Sequence, residues 1–143
     1  MNVATIHREA AWLSALANTI SYSFNGAATT LAEKGLIDLA SYMSERLYVA
    51  LTGDPNNDRS EPGQLYTNEV AGRLSAITFA LAALNRLSLS GAEDESDDFN
   101  NRMCNHAGWL QNCVSDLSDE LVRRTAQLAG QADARGGVEN PSQ

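Results

Sequence analysis

Apolar residues recur along this 143-residue chain at alternating spacings of three and four. That is the period of an α-helix with one buried stripe. The first run is Ile6, Ala10, Leu13, Ala17, Ile20 and Phe24, widened by Trp12 and Leu16. It predicts a helix from about Thr5 to Phe24, stopped at Asn25-Gly26 because glycine takes the left-handed cap conformation freely. A second run is Ala32, Leu36, Leu39, Met43, Leu47 and Ala50. Thr30 and Glu33 stand at capping-box spacing before it. The third, from about Asn68 to Leu89, is Val70, Leu74, Ile77, Leu81 and Leu84. The fourth is Met103, Ala107, Leu110, Val114, Leu117, Leu121 and Leu128, in a helix beginning near Ser96 or Asp97.

Between the second and third helices lies a connection over 52–67, rich in Gly, Pro, Asn and Asp, the residues of irregular chain. The two halves also resemble one another. Leu13-Ser14-Ala15-Leu16 is matched by Leu74-Ser75-Ala76-Ile77, and LIDLASYMSERL from Leu36 by LQNCVSDLSDEL from Leu110. A hairpin cannot bury its apolar face alone, so two of them imply a packed pair. The expectation is an all-α, antiparallel four-helix bundle of two helical hairpins, at about 5–51 and 68–130, forming one domain over 1–130. From Gly130 the text (GQADARGGVENPSQ) loses periodicity, and a disordered polar tail is expected over 131–143.

Composition narrows the functional classes. Eighteen acidic residues against ten basic ones give a net charge of −8. Phosphate repulsion disfavours direct nucleic-acid binding, and an anionic membrane is disfavoured for the same reason. No apolar run reaches the length of a membrane span and the N-terminus lacks a signal-peptide pattern. Cys104 and Cys113 lie nine residues apart in one helix, a rise of about 13 Å, against the ~7 Å that a disulfide tolerates. A reducing compartment, the cytoplasm, is expected.

Candidate chemistry is thin. Cys104, His106 and Cys113, with His7 or a carboxylate from another helix as a fourth ligand, lack the close spacing of a structural zinc site. Cys113 and His106 are about 10 Å apart along a helix, too far for a thiolate–imidazole pair. Asp54, Asn56 and Asp58 open like a calcium loop, but Arg59 and Leu65 stand where Gly and Glu are required. Neither histidine follows a Glu at the spacing of di-iron bundles. No metal, no cofactor and no enzymatic activity are expected.

What remains is recognition. Glu93, Asp94, Glu95, Asp97 and Asp98 put five carboxylates into six residues, suited to a basic protein patch or, for the last two, to the start of a helix. Phe79, Leu87 and Leu89 broaden the apolar face of the third helix beyond one stripe, as a partner surface or a homodimer contact would. Trp12, Trp109, Tyr22, Tyr42, Tyr48 and Tyr66 supply large amphipathic side chains of the kind that anchor interfaces. The expected function is a non-enzymatic protein-binding module: a small acidic inhibitor, adaptor or accessory factor. Such a bundle also suits a phage or mobile-element protein that blocks a host machine. The alternative is a bundle that sequesters or senses a small molecule between helices or at a dimer seam, where Ala- and Ser-rich faces leave room.

Overall fold

The computed structural model describes residues 2–23, 31–53, 61–90 and 97–139, with side chains described over 2–22, 34–53, 62–87 and 101–133. These form five helices: α1 (Val3–Ser23), α2 (Leu31–Thr52), α3 (Glu61–Gln64), α4 (Asn68–Ser90) and α5 (Asp97–Glu139). Among the described residues there is no strand, and no helix is long and apolar enough to cross a membrane.

Two helix starts are capped by the residue types that cap best. Asn2 accepts a hydrogen bond from the Thr5 amide through Oδ1 at 2.8 Å, satisfying a donor that the first turn cannot. Thr67 does the same for Val70 at 3.2 Å. Glu69 lies in that first turn of α4, at the positive end of the helix dipole. At the end of α2 the Gly53 amide donates to the Val49 carbonyl at 2.7 Å. A Cβ on residue 53 would approach that oxygen to 2.6 Å, so this stop needs glycine. The Thr30–Glu33 capping box falls outside the residues whose side chains are described.

The four long helices meet in a cycle: α1 packs on α2 and α5, and α4 packs on α2 and α5. Among the described residues no backbone approach joins α1 to α4 or α2 to α5. The interior is the union of their stripes. Ile6, Ala10, Leu13, Ala17 and Ile20 on α1, and Val70, Leu74, Ile77, Leu81 and Leu84 on α4, are buried as the spacing predicts. So are Met103, Ala107, Leu110, Val114, Leu117 and Leu121 on α5, with Leu128 packed at the edge.

Three expectations are corrected. On α2 the buried face is Ile37, Ala40, Ser44, Leu47 and Leu51, whereas Leu39 is 47% exposed. Leu36 and Met43 only flank it. The apolar pattern slid by one position because Ser44 interrupts the true stripe and the Leu39 phase also runs through Leu47. Trp12 does not widen the α1 stripe. It stands outside, 54% exposed, with the Arg8 guanidinium 5.1 Å from its ring centroid. Finally, α5 does not stop near Gly130 but runs 43 residues to Glu139. Extending an existing helix gains a hydrogen bond per residue, and Ala129, Gln131, Ala132 and Ala134 are good helix formers. Residues 129–133 are exposed, so this last stretch is helical without core contacts.

The connection over 52–67 also contains α3, which the sequence reading leaves as loop. Leu65, just after it, is completely buried. The Gln64 carbonyl accepts from Arg124 Nε at 2.9 Å, tying α3 to α5. A single Leu in a polar run carries no period, so its burial is a tertiary event. Further side chains link helices. Arg46 on α2 donates to Glu9 on α1 at 2.6 Å, and the Glu9 side chain is only 7% exposed. Arg73 on α4 pairs with Asp116 on α5 at 3.5 Å. His7 and Thr125 join α1 to α5 at 2.8 Å. The Thr125 hydroxyl also lies 2.8 Å from the Leu121 carbonyl of its own helix.

Candidate binding groove

Beside its buried stripe, α4 carries a second line of small residues, Ala71, Ser75, Thr78 and Ala82, at spacings of four, three and four. Facing them, α2 presents Ser41, Ser44, Glu45 and Tyr48. Small side chains on both walls cannot fill the space between two helices. A groove of about 560 Å³ is left, with Leu74 and Leu81 among its lining residues. Tyr48 and Tyr66, in edge contact at 82° and 6.5 Å, stand at one end. Asn85 lies toward the other end of α4. Phe79, 69% exposed, and Tyr48, 51% exposed, line it as its largest apolar groups.

The polar groups in the groove are not equivalent. Ser41 and Thr78 return their hydroxyl protons to the carbonyls of Ile37 and Leu74, each at 3.1 Å. Ser44 is different: it is 5% exposed, lines the groove, and has no hydrogen-bond partner among the described residues. A buried hydroxyl without a partner is costly, so such a group is informative. Glu45 is the groove's carboxylate, and no Lys or Arg lines it. Beyond Glu45 the outer face of α2 continues with Leu39, Tyr42 and Val49, all about half exposed. The Arg46 guanidinium lies 5.8 Å from the Tyr42 ring centroid. Contact with Tyr42 and then with Glu9 holds it still more firmly in its charged form.

Of the partner-surface residues singled out from sequence, Phe79 and Leu87 have described side chains. Phe79 belongs to the groove. Leu87 is partly buried and packs on the core. The side chain of Leu89 lies outside the described residues, as do Glu93, Asp94 and Glu95. Asp97 and Asp98 open α5, and their side chains also lie outside. The metal-like set does not converge: among the described residues no three His, Cys, Asp or Glu side chains are grouped to hold an ion. His106 tilts against Trp109 at 6.3 Å. Cys113 is buried and forms no disulfide. Burial, and then the Asp116 charge, push its thiol pKa up, against a smaller opposing pull from Arg73. Asp54, Asn56 and Asp58 are outside the described residues.

Sequence reasoning missed Ser44, Ser75 and Thr78 as groove residues. The small-residue line on α4 was legible as a period. Ser44 was not, because the phase of α2 was misread.

No protein-family model matches the chain, and neither a curated protein nor a solved structure is significantly similar to it.

Proposed function

We propose that this chain is a non-enzymatic protein-binding module, an antiparallel four-helix bundle that receives a partner in the α2–α4 groove. The cyclic packing supports the bundle. So do two contacts that bring early residues of one helix to later residues of its neighbour: Glu9 with Arg46, and His7 with Thr125. The observation that carries the binding reading is exposed apolar surface gathered around a concavity. Tyr48 and Phe79 flank a groove whose neighbouring helix face adds Leu39, Tyr42 and Val49. Exposed aromatics around a concavity are what partner helices use as anchors. An inhibitor, adaptor or accessory factor acts in this way, by occupying a surface.

A benzophenone side chain installed at position 79 tests the reading in cells that make the protein. The expected result is a stoichiometric protein adduct that is missing when the same group is placed at position 12. The second reading, a small ligand, draws on the groove volume, which falls within the usual range of ligand sites. It predicts no protein adduct at position 79, and a melting temperature that rises with a small-molecule fraction of the same cells.

A further inference from the structure

The shape of the α2–α4 groove limits what can occupy it. Its lining runs along α4 from Ala71 to Asn85, about 21 Å at 1.5 Å per residue. That is an elongated trough. It accepts a row of side chains from an adjoining rod better than it encloses a compact molecule, which a ligand site must largely surround. The walls of Ala71, Ser75, Thr78 and Ala82 let a helix backbone come close, and Leu74 and Leu81 offer it an apolar floor.

Charge then selects among helices. Glu45 is the carboxylate of the groove, it has no ion-pair partner among the described residues, and no Lys or Arg lines the trough. The chain as a whole carries −8, so a second copy would bring the same sign. Ser44 points to an occupant independently of charge. It is 5% exposed, without a hydrogen-bond partner among the described residues, and it lines the trough.

Resting on the reading of this groove as a protein-docking site, we infer that its occupant is a cationic amphipathic helix of about four turns. The helix lies along α4, places its apolar stripe between Tyr48 and Phe79, sets a Lys or Arg against Glu45, and offers a polar atom to Ser44.

The test uses a display library of randomised 15-residue helical peptides. It is selected on the full chain and counter-selected on the Ser75→Trp variant, whose indole fills the trough from an exposed position. Circular dichroism checks that the variant folds, and Ala82→Trp replaces it if it does not. Enriched peptides should be net positive, with Lys or Arg recurring at one register. Their dissociation constants should rise about tenfold or more on Ser75→Trp, and should rise on Glu45→Lys with the gap narrowing at high salt. Enrichment of neutral or acidic helices overturns the inference. So does binding that survives the Trp block, and so does a concentration-dependent dimer that the block abolishes. If no peptide is enriched while position 79 still captures a protein, the cationic helix is refuted and the docking reading stands.

Discussion

Replacing Ser44 with Ala should make the free protein more stable. Serine to alanine inside a helix ordinarily gains only a few tenths of a kcal/mol from propensity. Here a larger contribution is added, because the hydroxyl is 5% exposed and has no partner among the described residues. Leaving such a group unsatisfied costs about 1–3 kcal/mol, and deleting it removes that cost. Alanine keeps the Cβ carbon and lacks only the hydroxyl oxygen, at a wall that already borders open groove, so the cavity penalty is small. The net expectation is a gain of about 1–2 kcal/mol, or about 3–6 °C in melting temperature for a domain of this size. Urea titration followed at 222 nm, with thermal melts beside it, measures both. Ser44→Val is the companion variant: its added bulk projects toward the trough, so it should be close to neutral rather than overpacked. A loss of more than about 0.5 kcal/mol in Ser44→Ala would mean that the hydroxyl is engaged after all, and the argument from its isolation would fail. In the presence of a bound helix the sign should reverse, with Ser44→Ala weakening binding.

Other expectations follow from the packing. Ile37→Ala should cost about 2–5 kcal/mol and Leu39→Ala little, since only the first is fully buried; equal costs in chemical denaturation would restore the α2 phase read from sequence. Arg46→Ala should lower the melting temperature more than Arg123→Ala, because it strands the buried Glu9 carboxylate whereas Arg123 pairs with Glu120 one turn away on the surface; a smaller drop for Arg46 would show the Glu9 pair to be dispensable. Cys113 should react with thiol reagents more slowly than Cys104 at neutral pH, being buried with its pKa raised; mass spectrometry of partly labelled protein orders the two. A raised thiol pKa means stability that is intact below the ordinary thiol pKa and lost as pH rises through the higher one. The melting temperature should therefore fall at alkaline pH, less so in Cys113→Ala, and an identical fall in both would exclude this thiol as the cause.

Wherever an unbroken apolar period set the pattern, the local structure was legible in the residues. The stripes of α1, α4 and α5 could be written out position by position, because a 3.6-residue repeat leaves one phase that buries most of the aliphatic side chains. The same periods put helix starts near Thr5 and Asn68, whereas the caps at Asn2 and Thr67 are seen only in the structure. Other features depend on which helix faces which. Ser44 is buried because α4 stands beside α2, and no property of Ser44 itself decides that. Leu65 enters the core because the chain folds back at α3, although its neighbours in sequence read as loop. Leu87 and Phe79 look alike in the sequence, yet the first packs on the core and the second lines a groove. The α2–α4 trough exists for the same reason: a line of small residues is equally compatible with close helix contact or with a gap, and only the placement of the two helices left it open. Period is a property of one segment and can be read from it. Burial, exposure and concavity are properties of pairs of segments, and they appear only when the helices are brought together.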